Sequence, residues 1–184
     1  MTHFSDLGLA KPLLAALAAK GYNTPTPIQL QAIPPLLEGR DVCGIAQTGT
    51  GKTAAFALPS LDYFYRNPRP RAQRSCRMLV LSPTRELAAQ IGASFRDYGR
   101  QMQVVVETVF GGVPIGRQIK ALGQGVDVLV ATPGRLIDLV QQRAVSLRDV
   151  EIFVLDEADQ MLDLGFIVPL KQIDKMLPKE RQSL

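Results

Sequence analysis

Residues 46–53 read "AQTGTGKT", three threonines, two glycines and one lysine directly after the apolar run 41–46. Glycines at 49 and 51 let a backbone turn its N–H groups toward a phosphate chain, and the N-terminus of a following helix adds its dipole. Lys52 then reaches the outer phosphates and the Thr53 hydroxyl ligates Mg²⁺, with Gln47, Thr48, Gly49, Thr50 and Gly51 forming the cradle. The strict form of this loop begins with glycine, whereas this one begins with Ala46. A second stretch, "EIFVLDEAD" (151–159), puts Asp156 and Glu157 at the end of an apolar run. A carboxylate there holds Mg²⁺ and its neighbour orients or deprotonates an attacking water, as phosphoryl transfer to water requires. Acids that open a helix also complement its dipole. Their place in the chain after GKT favours the catalytic reading of Lys52, Asp156 and Glu157.

Elements must position these groups. Short runs rich in Val, Ile and Leu recur at 41–46, 77–82, 103–110, 126–131 and 151–156. They are mostly unbroken rather than alternating, which predicts strands with both faces buried in a parallel sheet. Helix-length segments near 52–65, 84–101, 114–123 and 133–142 separate them, so the pattern is that of an open α/β sheet. Two helices precede the first run: "KPLLAALAAKG", and a second with Thr26 as N-cap and Pro27 at its first position. Pro34 and Pro35 are expected to kink or break that second helix. In the sheet, Lys52, Arg85, Gly111, Arg135 and Asp156 would each follow a strand and emerge on one edge, where ligands bind.

The 184 residues suit one globular domain, with the hydrophobic and charged fractions of an ordinary folded protein. No apolar run approaches the roughly 18 residues that a membrane helix needs, and no signal peptide is visible. Cys43 and Cys76 lack metal or redox spacing. Cys43 is expected to be a buried thiol, and the compartment a reducing cytoplasm. Net charge is +4, yet residues 66–77 hold five arginines and no acid. Outside that loop 16 basic residues face 17 acidic ones, so there is no general basic face. The loop precedes its strand, which places it on the far edge as a solvated, mobile segment.

Taken together, "AQTGTGKT" and "LDEAD" resemble the motifs of the DEAD-box RNA helicases of superfamily 2. Four more stretches extend the likeness over the chain: "GYNTPTPIQ" (21–29) with Phe4 upstream, "PTRELAAQ" (83–90), the glycine doublet 111–112, and "TPGRL" (132–136). The wording, including "MLDLGF" after DEAD, is most similar to bacterial RhlE-like members. The resemblance implies a three-layer RecA-like P-loop domain with a mainly parallel sheet. It implies ATP and Mg²⁺ as cofactors, the ion held by Thr53 and Asp156. By the same resemblance Gln29 selects adenine and Phe4 stacks on the base, with Tyr22 an alternative; the local pattern makes Gln29 half of a capping box instead. RNA backbone contacts would come from Pro83, Thr84, Arg85, Gly111, Gly112, Thr132, Pro133, Gly134 and Arg135, with intramolecular ion pairs as the alternative for Arg85 and Arg135. Residues 1–184 would form the N-terminal helicase domain, with a Q-motif region over 1–40 and the core over 41–184. A Ser-Ala-Thr strand and a second RecA-like domain would lie outside it, leaving a chain that binds nucleotide and hydrolyses it slowly. Partners in ribosome assembly or RNA degradation fit such a protein.

Overall fold

The computed structural model describes residues Met1–Leu184. The chain forms two compact units. The first comprises Met1–Arg69, Ala93–Val104 and Ser183–Leu184, and the second Pro70–Gly92 and Val105–Gln182.

Helices build the first unit. A 3₁₀ turn at Phe4–Leu7 leads into α1 (Lys11–Ala19), then α2 (Pro27–Leu37) and α3 (Lys52–Arg66). Ten of the fifteen α3 residues are buried, and both α1 and α2 pack on this helix. No side chain caps α1 from its own N-cap, Ala10. The buried Asp62 carboxylate does so from α3, accepting the Ala10 N–H at 2.7 Å while Arg66 pairs with it at 2.6 Å. Helix α2 runs unbroken through Pro34 and Pro35. Two missing N–H donors are tolerated there because the pair stands in the last turns, and both proline carbonyls still accept, from Glu38 and Arg40.

A sheet forms the second unit. Its strands are β1 (Cys76–Leu81), β2 (Val106–Val109), β3 (Val126–Ala131), β4 (Ile152–Leu155) and the two-residue β5 (Gln182–Ser183), in the order β2-β3-β1-β4-β5. The β1–β3, β1–β4 and β2–β3 pairings are parallel. Every residue of β1 and β3 is buried, the paired charges Arg77 and Asp127 included, as strands covered on both faces require. Helices α4 (Arg85–Tyr98), α5 (Ile115–Leu122) and α6 (Pro133–Gln141) follow the first three strands. Helices α7 (Ala158–Asp163) and α8 (Ile167–Met176), not anticipated from the pattern, follow the fourth. Leu79, Leu129, Leu136, Leu139, Met161 and Ile173 share one buried cluster. Strand β2 starts later than its apolar run because the Asp127 carboxylate takes the Val105 N–H at 2.8 Å.

One expected strand is absent. Residues 41–46 are not extended into a ladder, and Ile45 is 94% exposed. The Val42 N–H donates to the Ser183 carbonyl at 3.1 Å, and the Ser183 N–H to the Asp41 carboxylate at 2.8 Å. Beyond that pair no neighbouring strand receives the run, and apolar content without a ladder partner does not make a strand. Cys43 is consequently exposed, not buried. Cys76 is fully enclosed in β1, and burial pushes its thiol up to about 12. Alkylation of the native chain at pH 8 is expected to label Cys43 alone, with Cys76 reacting only after unfolding. Mass spectrometry of the alkylated protein decides this, and native labelling of Cys76 would refute it.

The arginine-rich loop also departs from expectation. Arg71 pairs with the buried Asp127 at 3.1 Å, and the buried Arg77 with Glu151 at 2.6 Å. Two of the five arginines in 66–77 therefore serve the fold through partners 56 and 74 residues away, and Arg66 does so through Asp62. No helix is long and apolar enough to cross a membrane.

Candidate functional site

In the first unit, the glycine-rich loop ends at the N-terminus of α3. Gly49 and Gly51 adopt φ of 82° and 86°, left-handed values that side chains rarely tolerate. The Thr50 hydroxyl donates to the Gln47 carbonyl at 2.6 Å and closes the turn. Gly51 is the N-cap of α3, with Lys52 and Thr53 in its first turn, both half-exposed. The first N–H groups of a helix have no acceptor within it. An anion can therefore meet helix-start amides, the helix dipole and a lysine ammonium together.

Gln29 reaches this loop from α2. It is 6% exposed; its Oε1 accepts the Thr26 N–H at 2.9 Å and its Nε2 donates to the Gly51 carbonyl at 3.1 Å. A Cβ at position 51 would collide with that amide and lie 3.2 Å from Thr26 Oγ1. Glycine is thus required twice over at 51, by φ and by this close approach. The capping half of the Gln29 reading is present, and the same side chain ties the start of α2 to the phosphate-type loop. One N–H and one lone pair of the amide remain uncommitted, which is the pair of functions an adenine edge would use. Phe4 is only 4% exposed and its N–H donates to the Asn23 carbonyl at 3.1 Å. It borders a cleft of about 400 Å³ with His3, Leu14, Leu17, Tyr22 and Asn23, and no glycine-loop residue lines that cleft.

In the second unit, register brings four motifs to one edge. Leu81 pairs with Ala131 and with Leu155, and Val109 pairs with Ala131, so β1 to β4 end level. The turns that follow carry Pro83–Arg85, Gly111–Gly112, Thr132–Arg135 and Asp156–Glu157. Pro83 and Pro133 are buried and shape their turns, while Gly111, Gly112 and Gly134 are exposed. The Thr84 hydroxyl accepts the Leu87 N–H at 3.2 Å and caps α4, and Thr132 is the N-cap of α6. The Asp156 N–H donates to the Leu81 carbonyl at 3.0 Å. Glu157, the N-cap of α7, has φ 55°, one of three non-glycine residues with positive φ.

The two arginines of this edge differ. Arg85 is about half exposed; its guanidinium lies 5.2 Å from the Phe110 ring centroid, and Glu86 stands at 4.0 Å. A Cβ at position 112 would come within 2.9 Å of Arg85 Nη1, so Gly112, at φ 80°, leaves this arginine its place. Arg135 is instead committed: Nη1 donates to the Val113 carbonyl and to Gln118 Oε1, each at 3.0 Å, and its side chain is 13% exposed. Of the two readings given for Arg135, this is the intramolecular one for Nη1. Together with the Gln118 amide, which donates to the Phe110 carbonyl at 3.1 Å, Arg135 fixes the glycine doublet. Gln118 and Phe110 were not singled out in the sequence. For Phe110 an aromatic directly before a glycine pair was the available signal, and for Gln118 there was none.

Comparison with known proteins agrees with these motifs. Residues 26–184 match the family model described as DEAD/DEAH box helicase. The chain is 45% identical to the DEAD-box ATP-dependent RNA helicase CshA of Streptococcus pneumoniae, covering 98% of this chain and 34% of that protein. It is 49% identical to the ATP-dependent rRNA helicase RRP3 of Pyricularia oryzae, covering 98% and 33%. With RNA helicase CrhR of Synechocystis it shares 44% identity over 98% and 35%. The chain thus spans about a third of the length of the curated relatives it matches. With an α/β fold of RecA-like type and the family model covering most of its length, this chain belongs to the DEAD/DEAH box helicase family.

Proposed function

We propose that this chain is the N-terminal RecA-like domain of an ATP-dependent RNA helicase, binding ATP and the RNA backbone while a second RecA-like domain completes the catalytic site. The observation that carries the reading is the left-handed pair Gly49 and Gly51 before a buried fifteen-residue helix that opens with Lys52 and Thr53. Lys52 holds the outer phosphates, and Gln29 reads adenine with the half of its amide that Thr26 and Gly51 leave over. Asp156 and Thr53 are each oxygen donors of the hard kind that Mg²⁺ takes. No group of three or more metal-binding side chains gathers in the chain. That suits an ion held by one or two protein oxygens plus phosphate and water. The ion, when bound, neutralises charge on the phosphates. Glu157 orients the attacking water, and its left-handed backbone is the kind of strain found at catalytic positions.

On the level edge of the sheet, Arg85, the Thr84 and Thr132 hydroxyls and the amides of Gly111, Gly112 and Gly134 take RNA phosphates. Such contacts position a strand without reading bases. Arg135 acts through the loop it fixes, and Pro83 and Pro133 through the turns they shape. Phe4 serves the first unit as a packed aromatic, which leaves the more exposed Tyr22 as the ring available for stacking. Two free thiols, one of them exposed, suit a reducing cytoplasm.

Titration of this chain with ATP, GTP, single-stranded RNA and single-stranded DNA tests the reading, alongside RNA-stimulated ATP turnover. Mg²⁺-dependent binding that prefers ATP over GTP, RNA binding, and slow turnover are expected. A second domain would bring arginines worth roughly 10³–10⁵ in rate. Equal response to DNA and RNA would favour a general nucleic-acid ATPase instead. Phe110→Ala is expected to weaken RNA binding about 3-fold by releasing Arg85, since an exposed cation–π contact contributes about 0.5–1 kcal/mol. Unchanged RNA affinity, measured by fluorescence anisotropy, would show that the ring does not position Arg85.

A further inference from the structure

The second unit carries a cluster of positive charge away from the motif edge. Residues 70–75, 117–125 and 142–149 hold Arg71, Arg74, Arg117, Lys120, Arg143 and Arg148 against one acid, Asp149. Backbone hydrogen bonds draw these three segments together around Arg74. Its N–H donates to the Gly123 carbonyl at 3.3 Å, and its carbonyl accepts the Ser146 N–H at 2.7 Å. Lys120 is one turn before Gly123, whose N–H it accepts at 3.2 Å. Arg148 donates its N–H to the Ser146 hydroxyl at 3.4 Å, and Arg74 Nη1 lies 3.5 Å from the Arg143 carbonyl. Arg74, Lys120, Arg143 and Arg148 are all exposed. Arg71 and Arg77 neutralise Asp127 and Glu151, the acids that open β3 and precede β4.

Backbone conformation marks the same place. Arg74 and Arg143, at φ 52° and 56°, are two of the three non-glycine residues with positive φ, the third being Glu157. Arg143 follows α6 at the position where helices most often place glycine in this conformation. Long, charged side chains therefore stand where glycine would sit without strain, and each projects a guanidinium from a point the fold fixes. Six-residue strands separate this cluster from the motif edge by about 20 Å.

We infer that Arg74, Lys120, Arg143 and Arg148 form a second phosphate-backbone site that engages RNA extending beyond the motif edge. This rests on the RNA reading given above. The site acts as an anchor: it binds by charge, without base preference, and contributes only when the strand is long enough to reach both edges.

The double variant Arg74→Gly/Arg143→Gly removes two charges and also relieves two left-handed side-chain positions, so its thermal stability is expected to equal or exceed that of the parent. Binding of a short and a long single-stranded RNA would be followed by anisotropy across a salt series, with Arg85→Ala as the motif-edge comparison. For the long RNA the double variant is expected to bind more weakly, with a salt slope shallower by about 0.7 for each arginine removed. For the short RNA it should match the parent, whereas Arg85→Ala should weaken both. If Arg85→Ala weakens binding and the double variant leaves the long-RNA slope unchanged, the second site is refuted and the RNA reading stands. If the parent binds no RNA, both fail. Loss of poly-glutamate binding in the double variant, with RNA affinity intact, would overturn the RNA assignment in favour of an acidic protein partner.

Discussion

Gly125→Ala is expected to lower the unfolding free energy by about 2–4 kcal/mol, the combined scale of a left-handed alanine and an overpacked contact. Gly125 has φ 76° and stands immediately before β3. An added Cβ would overlap the Ala72 carbonyl oxygen and lie 3.1 Å from its carbon and 3.4 Å from Arg71 Cβ. The loop that carries Ala72 has little room to retreat. The Ser75 hydroxyl donates to that carbonyl at 2.7 Å, Arg71 pairs with Asp127, and the Val126 N–H donates to Ser75 at 2.9 Å. Moving the backbone would therefore loosen the start of both β1 and β3. Gly116→Ala is the control, since nothing lies within 4 Å of that helical position. It should be neutral or stabilise, because alanine is the better helix former by about 1 kcal/mol. Urea unfolding of the two variants gives the comparison. A loss below about 1 kcal/mol for Gly125→Ala would mean that residues 70–75 shift freely, removing the steric part of the argument.

Lys52→Ala is expected to weaken Mg²⁺-ATP binding about 10- to 100-fold, the scale of a lost charge-assisted hydrogen bond of roughly 1.5–3 kcal/mol. It should also remove whatever turnover the chain has. The substitution leaves the backbone amides of the loop and the dipole of α3 in place, so residual anion binding should persist. Alanine suits the first turn of a helix, and Lys52 is only half-buried, so the melting temperature should hardly move. Isothermal titration with ATP, beside thermal unfolding, separates loss of site from loss of fold. Affinity unchanged by the substitution would remove Lys52 from the phosphate site. The glycine amides alone would then have to account for binding.

Much of the second unit could be read residue by residue. The runs at 126–131 and 77–82 became buried parallel strands because Val, Leu, Met and Ala at neighbouring positions satisfy both faces of an inner strand. Pro27 and Pro133 stand at the first position of α2 and α6, where a missing N–H costs nothing. The chemistry-bearing turns after β1, β2, β3 and β4 follow from that strand and helix alternation, although their level alignment is a matter of register. The run at 41–46 failed for a related reason. Composition signals what a segment could bury, while a strand also needs a neighbour to receive its hydrogen bonds.

By itself, then, the sequence determined what depends on nearby residues: the apolar inner strands, the helix starts at proline and threonine, the glycines that turn a loop, and the family motifs. Tertiary structure decided what depends on partners far along the chain. Asp127 and Glu151 claim Arg71 and Arg77 across 56 and 74 residues, which converts an expected mobile basic loop into part of the fold. Gly51, 22 residues on, takes half of the Gln29 amide, and Val113, 22 residues back, takes the Arg135 fork. A side chain's hydrogen-bonding capacity is written in its type, but which groups consume it is settled only when distant segments are brought within about 3 Å.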